Sequence, residues 1–320
     1  MAGEEDTQIV FELPNAFRCY KSGRVERFIG TDLVHPGVDP NTGVSSKDVT
    51  LLPDVSARLF LPKIVYPAKK LPVFVHFHGG IFVLQTPFSA TYRNYLTSLA
   101  ADADALIISV HYRRAPEHPL PIAYEDSWAA FQWVISHAGG SGPEPWLTDH
   151  GDFSRIILGG DSAGANISHQ VALRAGQEGI LKPGSKLAGA VLVHPYFWGA
   201  HELAPKDANP QLFAFTERIW KFLCPGTSGS DDPLINPLVG WPVTMAKIGC
   251  GSVLVCVAEK DRLRPWGVAY YEGLKSSGWK GTVEIMESEG EDHVFHLIKP
   301  ESEKCRDLHH RVVDFIKHVK

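Results

Sequence analysis

Hydrophobic residues along the chain fall into short apolar, β-branched runs that alternate with longer stretches of helical character. Six such runs occupy residues 73–78, 105–112, 155–160, 189–195, 252–259 and 282–287. Runs of this length joined by helix-length connections predict βαβ units around a mainly parallel sheet that is buried on both faces. The pattern predicts helices after Pro87, at about 121–138, 163–179 and 265–277, and from 301 to the end. The chain is therefore predicted to be an α/β protein.

Three other segments complete the predicted domain. Residues 46–52 and 56–62 predict two antiparallel strands that meet near Pro53 and Asp54. Residues 1 to about 45 are polar with scattered aromatics, and residues 198–248 form a long insertion rich in Pro and Trp between two strands. Long excursions in compact α/β domains are commonly lids. We expect a single domain over 1–320, with a joint cap contributed by about 1–45 and by 198–248.

The amino-acid composition and the net charge limit the kinds of molecule that the protein is expected to bind. The 320 residues are 44% hydrophobic and 21% charged, which allows a large core and excludes a disordered or collagen-like chain. The net charge of −5 and the scattered basic residues argue against nucleic acid or an anionic membrane surface. No stretch has the roughly 18 apolar residues of a membrane helix, and acidic residues stand where a signal peptide needs basic ones. We therefore expect a cytosolic monomer or homodimer acting on a small molecule.

Metals and cofactors are not expected. The five cysteines lie far apart and include no CxxC pair, so neither a disulfide framework nor a zinc site is predicted: Cys19, Cys224, Cys250, Cys256 and Cys305. The histidines at 76 and 78 could suggest a metal site, but no further cluster of ligands accompanies them.

A candidate nucleophile lies between the run at 155–160 and the helix predicted from 163. The sequence Gly160-Asp161-Ser162-Ala163-Gly164 matches G-x-S-x-G. At a strand-to-helix junction this motif forms a nucleophile elbow, in which flanking glycines permit a strained turn that lifts the Ser hydroxyl above the sheet. The alternative, an ordinary βα turn, is disfavoured by that position. Ser162 is the predicted nucleophile.

A serine hydroxyl needs a base, and a carboxylate and a histidine should follow it in chain order. Asp261 comes just after the run at 252–259, and His293 follows the next run. His296 is the nearest rival of His293. Glu259 is the rival of Asp261, although it lies nearer to the strand. Stabilisation of a tetrahedral intermediate also needs N–H donors, which His78-Gly79-Gly80 after the first apolar run and Ala163 after the nucleophile can supply.

Several motifs together resemble a known family. The segments "HGGIF", "YRRAPEHPLPIAYEDSW", "GDSAG" and "DHVF", with the loop of Asp261, resemble the hormone-sensitive-lipase-like branch of the α/β-hydrolases. The segments "SGRVERF", "VSARLFLPK", "GPEPWL", "DFSRI" and "INPL" resemble plant carboxylesterases, near 2-hydroxyisoflavanone dehydratase-like members. The resemblance covers nearly the whole chain. It implies an α/β-hydrolase fold: a central, mostly parallel eight-stranded sheet with helices on both faces and a cap.

The resemblance also implies a set of site residues. They are the triad Ser162, His293 and Asp261, and an oxyanion hole from Gly79, Gly80, Ile81 and Ala163. Two positions depart from the family pattern: Ile81 replaces a usual third Gly, and Pro265 replaces a common second acid. Ile is nearly excluded from φ > 0. We therefore expect either a negative φ at Ile81 with a working donor and a narrowed pocket, or a misaimed donor.

The predicted function is hydrolysis of a small apolar or aromatic ester by a Ser-His-Asp acyl-enzyme mechanism. The alternative is a dehydratase or alkaloid cyclase of plant specialised metabolism that reuses the same site. Gibberellin receptors of the same family lack the triad His, so the presence of His293 disfavours a receptor. Four aromatic residues are expected to line the substrate pocket: Phe82, Phe197, Trp198 and Phe215. For each of them, packing in the core remains the alternative.

Overall fold

Eleven strands form two sheets in the computed structural model, which describes residues 4–65, 69–199, 203 and 210–320. The strands are β1 (Ile9–Leu13), β2 (Phe17–Tyr20), β3 (Val25–Arg27), β4 (Ser45–Leu52), β5 (Val55–Leu61), β6 (Leu71–Phe77), β7 (Leu106–His111), β8 (Gly151–Asp161), β9 (Leu187–Val193), β10 (Ser252–Ala258) and β11 (Thr282–Ser288). The central sheet has eight strands in the order β11-β10-β9-β8-β6-β7-β5-β4. The six neighbouring strands β11, β10, β9, β8, β6 and β7 are parallel to one another, while β5 is antiparallel to both of its neighbours, β7 and β4.

The predicted mostly parallel, eight-stranded sheet is therefore confirmed, and so is the antiparallel pair at its edge. Every residue of β6 and of β9 is buried. Burial of both faces is why the central strands have continuous apolar runs in the sequence.

Helices cover both faces of this sheet. They are α1 (Ala90–Ala103), α2 (Ile122–Ser136), α3 (Pro145–His150), α4 (Ala163–Glu178), α5 (Pro210–Leu223), α6 (Arg264–Ser276), α7 (Phe295–Ile298) and α8 (Glu303–His318), with short 3₁₀ turns at Glu4–Asp6 and Met245–Lys247. Apolar residues of α1 and α8 pack in one core with Phe74, whereas those of α2, α4 and α6 pack in a second core with Val73 and Val75. Because successive strand residues point to opposite faces, these two cores lie on opposite sides of the sheet. None of the described helices is long and apolar enough to cross a membrane.

The two regions expected to form a cap contact each other. Strands β1 to β3 form a small antiparallel sheet within the N-terminal region, and α5 lies in the insertion. The ring of Phe11 in β1 stacks on that of Phe222 in α5, with centroids 4.1 Å apart. The guanidinium of Arg218, also in α5, lies 5.0 Å from the centroid of the Phe11 ring. Residues 1–3, 200–202 and 204–209 of the expected cap lie outside the described residues.

Candidate active site

The predicted elbow lies between the end of β8 and the start of α4. Ser162 has φ 52° and ψ −116°, a conformation that non-glycine residues rarely adopt. A Cβ atom at Gly160 or at Gly164 would collide with the carbonyl oxygen of Phe77, so only glycine at these positions lets the turn pack against β6. Strain of this kind persists where the surrounding packing imposes it, and it is common at active sites.

Ser162, His293 and Asp261 come together at the carboxyl ends of their strands. Nε2 of His293 lies 2.9 Å from Oγ of Ser162, and Nδ1 lies 2.6 Å from Oδ2 of Asp261. The other carboxylate oxygen of Asp261 accepts a hydrogen bond from the N–H of Leu263 at 2.8 Å. An Asp held in this way keeps the proton of the imidazole on Nδ1, which leaves Nε2 free to accept the proton of the hydroxyl.

Glu259 and His296, the alternative candidates for the acid and the base, make other contacts. The carboxylate of Glu259 accepts a hydrogen bond from the N–H of Gly290 at 2.7 Å. His296 is buried, its ring lies edge-on to that of Tyr95, and burial, with a smaller effect of nearby His293, lowers its pKa to about 3. A histidine with such a low pKa is a poor base at neutral pH.

His194, which the sequence analysis did not single out, supports the loop of the candidate base. This buried residue follows β9, and its Nδ1 accepts a hydrogen bond from the N–H of Val294 at 3.0 Å. Burial holds the pKa of His194 well below its usual value, so the ring stays neutral and Nδ1 remains an acceptor. Val294 itself has φ 47°, an unfavourable conformation for a β-branched residue. The bond that Val294 donates to His194 thus fixes the strained backbone immediately after His293.

The oxyanion loop differs from the expectation at Gly79. The N–H of Gly79 donates to the hydroxyl of Tyr92 at 2.7 Å and is not available to a substrate, so Gly79 is corrected from a predicted donor to a structural residue. The N–H groups of Gly80, Ile81 and Ala163 have no hydrogen-bond partner within the described part of the chain. These three groups are the candidate donors.

Tyr92 connects the oxyanion loop to the elbow. Its hydroxyl, which accepts from Gly79, donates to the carboxylate of Asp161 at 2.8 Å. Burial raises the pKa of Asp161 to about 6, against the opposing effect of the bond from Tyr92. Tyr92 lies in α1, 13 and 69 positions along the chain from Gly79 and Asp161, and no local motif marks it.

Ile81 also differs from the expectation. It has φ 57°, and the next residue, Phe82, has φ 60°, so the negative φ expected for a β-branched residue is wrong. The carbonyl of Gly80 accepts from the N–H groups of Val83 and Leu84 at 2.9 and 2.7 Å, which closes a tight turn around Ile81. Phe82 is fully buried and anchors that turn in the core. The N–H of Ile81 is nevertheless unpaired among the described residues, and Ile81 lines the same cavity as Ser162.

A cavity of about 340 Å³ opens over Ser162. Its lining is largely polar: Ser162, His293, Asp261, Asp292, Lys260, Arg262 and Tyr196, with Ile81 and Leu263 as apolar members. No group of three or more His, Cys, Asp or Glu side chains in the described ranges is arranged to hold a metal ion.

The aromatic residues expected to line the pocket are not among those around this cavity in the described structure. Phe82, Phe197 and Trp198 are almost fully buried and pack against other core aromatics, and Phe215 is half-buried against the main core. The pocket prediction is corrected accordingly, because aromatic content does not tell which face of a loop a side chain occupies.

Comparisons with known proteins agree with the geometry. A family profile described as alpha/beta hydrolase fold matches residues 74–297. The chain is 45% identical to 2-hydroxyisoflavanone dehydratase of Glycyrrhiza echinata, over 95% of each chain, and 44% identical to probable carboxylesterase 13 of Arabidopsis thaliana, over 98% and 99%. The crystal structure of carboxyl esterase 2 from the fungus Tuber melanosporum superposes with a TM-score of 0.69 at 24% identity, over 89% of this chain and 91% of that one.

The last similarity concerns the fold alone, whereas the first three concern the sequence over most of its length. The resemblance found in the motifs is thereby confirmed, and the chain belongs to the α/β-hydrolase fold family.

Proposed function

We propose that the protein is a serine carboxylesterase in which Ser162 is the nucleophile, His293 the general base and acid, and Asp261 the residue that orients the imidazole. The observation that carries this proposal is the pair of hydrogen bonds made by His293, at 2.9 Å to Ser162 and at 2.6 Å to Asp261. The strained conformation of Ser162 and the unpaired N–H groups of Gly80, Ile81 and Ala163 support the same assignment.

In the proposed reaction, Oγ of Ser162 attacks the ester carbonyl while Nε2 of His293 takes its proton. The N–H groups of Gly80, Ile81 and Ala163 donate to the oxygen of the tetrahedral intermediate, where negative charge develops. His293 returns the proton to the leaving alcohol as the C–O bond breaks. Water, activated by the same base, then attacks the acyl-enzyme and releases the acid, and the proton returns to Ser162.

The proposal also includes a cap over the site and a location in the cytosol. The stacking of Phe11 on Phe222 supports a joint cap made by the N-terminal region and the insertion. All five cysteines are free and four of them are buried, which supports work in a reducing compartment such as the cytosol.

Hydrolysis of p-nitrophenyl acetate by the wild type and by Ser162→Ala tests the proposal. We expect the variant to retain only the roughly 10³–10⁴-fold acceleration over water that binding and the oxyanion hole supply. His293→Ala should be impaired to a similar extent, with His296→Ala as the matched control that keeps most activity. Phenylmethylsulfonyl fluoride should leave a mass adduct on Ser162. Unchanged turnover in Ser162→Ala would refute the assignment.

A dehydratase is the second candidate function, because one relative with 45% identity is named 2-hydroxyisoflavanone dehydratase. In such a reaction His293 would remove a proton next to a ketone, and the unpaired N–H groups would stabilise the enolate oxygen. The enolate would then expel the β-hydroxyl group, which leaves as water when its C–O bond breaks and His293 returns the proton to it. Incubation with 2-hydroxyisoflavanone distinguishes the two candidates. Loss of water from this compound at a kcat/KM well above that for simple esters would favour the dehydratase.

A further inference from the structure

Two basic side chains line the reaction cavity without a matching acid. Lys260 and Arg262 flank the candidate acid Asp261, both are exposed, and neither forms an ion pair with any residue in the described ranges. Arg264, two positions further along, instead forms a bond of 2.8 Å with Glu287. Arg264, which lies outside the cavity, is thus paired with an acid, whereas Lys260 and Arg262 at the cavity are not.

The wall of the same cavity includes a hydroxyl without a partner. Tyr196 is 2% exposed, and its hydroxyl oxygen is buried without a hydrogen bond to any described residue. Burial raises the pKa of Tyr196 to about 12, so the group keeps its proton, and the nearby charge of Arg262 opposes this rise. A buried polar group without a partner is costly, and at the wall of a reaction cavity it is a hydrogen-bonding group that a ligand can satisfy.

The two carboxylates at the cavity, Asp261 and Asp292, contact the loop of the candidate base and form no ion pair with Lys260 or Arg262 in the described ranges. Asp261 accepts from His293 and from Leu263, and Asp292 accepts from the N–H of His293 at 2.7 Å. The hydrogen-bond donors at the cavity that have no acceptor among the described residues are therefore two cations and one hydroxyl.

We propose that Arg262, Lys260 and Tyr196 form a subsite for a carboxylate on the substrate, so that the enzyme prefers esters that also carry a free acid group. The inference rests on the proposed esterase activity and specifies the substrate class of that site. A guanidinium matches a carboxylate by two parallel N–H bonds, and the lysine and the hydroxyl add further donors. A neutral ester of the same shape offers these donors no carboxylate to bind.

Two pairs of matched esters test the inference on either side of the scissile bond. 4-Acetoxybenzoate and 4-acetoxybenzamide differ in charge on the alcohol part, and monophenyl glutarate and phenyl glutaramate differ in charge on the acyl part. In at least one pair we expect the wild type to hydrolyse the anionic ester with a kcat/KM about fivefold higher, which is the upper range for an exposed ion pair. Raising the salt concentration from 0.05 to 0.5 M should reduce this preference because salt screens exposed charges.

Substitutions of the three subsite residues test whether these residues cause the preference for anionic esters. Arg262→Gln should bring the ratio of anionic to neutral kcat/KM close to one, mainly through KM, and Lys260→Gln and Tyr196→Phe should reduce it by less. Arg264→Gln is the matched control and should keep the wild-type ratio. A ratio within one protein does not depend on the fraction of folded enzyme, so partial misfolding does not obscure the result. Equal hydrolysis of both members of both pairs by the wild type, or an unchanged ratio in Arg262→Gln, would overturn the inference, whereas hydrolysis of no ester would refute the esterase proposal itself.

Discussion

Replacement of Ile81 tests the backbone of the oxyanion loop. At ordinary negative φ, alanine stabilises a folded chain relative to glycine by about 0.5–1 kcal/mol, because glycine loses more conformational freedom on folding. At φ 57° the order should reverse, since the left-handed region costs a residue with a Cβ atom about 1–2 kcal/mol. We therefore expect the variant Ile81→Gly to be more stable than Ile81→Ala.

The expected difference between these variants follows from the two opposing costs. Subtracting the ordinary disadvantage of glycine from the strain that it relieves leaves about 0–1.5 kcal/mol in favour of Ile81→Gly. In a chain of 320 residues, 1 kcal/mol corresponds to a change in Tm of only about 1.5 °C. Urea unfolding monitored by fluorescence is therefore the better assay. Comparison of the two variants also removes the contribution of the lost Ile side chain, because both variants lack it.

Activity provides the second measurement on the same variants. The N–H of Ile81 is already unpaired, so we expect glycine to recover no missing donor. Removal of the side chain, in contrast, enlarges the cavity that Ile81 lines. We expect Ile81→Gly to raise kcat/KM for p-nitrophenyl benzoate relative to the acetate by about tenfold, a value typical of relieving a small steric misfit. Ile81→Ala should do the same to a smaller extent.

Two results would refute this reasoning. Greater stability of Ile81→Ala than of Ile81→Gly would mean that the residue does not occupy the left-handed region. A common increase of about 10²–10³ for every ester in Ile81→Gly would mean that the isoleucine misaims its N–H, because that is the effect of one oxyanion donor.

Two further predictions concern the residues that hold the site in place. Tyr92→Phe should lower the free energy of unfolding by about 1–3 kcal/mol or more, because it leaves the N–H of Gly79 and the buried carboxylate of Asp161 without their shared partner. The matched control is Tyr112→Phe, which removes a buried hydroxyl that contacts only the carbonyl and Nδ1 of His78, and equal urea midpoints for the two variants would contradict the bridging role. His194→Leu should lower kcat up to about 10²-fold with little change in KM, because the loop of the proposed base His293 loses its anchor. His194→Asn, which retains an acceptor, should recover part of the loss, and equal kcat values for the two variants would show that the acceptor does not position the loop.

The sequence predicted the central fold well because its strands are buried on both faces. Each residue of β6 and β9 is buried, so these strands are continuous apolar runs that stand out from their surroundings. The N-terminal sheet was missed because β1 is short and partly exposed, which leaves no clear alternation. Helix α5 was also missed, although Pro210 at its start matches the preference of proline for the first turn of a helix.

Within the site, the sequence indicated residues whose position follows from strand order and missed those defined by contacts between distant elements. Ser162, Asp261 and His293 each follow a strand, so their order along the chain indicated that they would meet. Tyr92 and His194 act through bonds to partners 69 and 100 positions away, and neither lies in a motif that would identify it. Periodicity and chain order carry no information about such pairs.

Ile81 shows why a strong local rule failed at this site. The exclusion of β-branched residues from positive φ is a preference of about 1–3 kcal/mol, which the folded surroundings can outweigh. Two N–H groups on the carbonyl of Gly80 and the buried ring of Phe82 fix the turn on either side of Ile81. A glycine would reach the same φ without strain, but it would also gain freedom to leave it. Because an oxyanion donor is effective only when it is oriented before the charge develops, a loop held by packing can serve as well as one made of glycine.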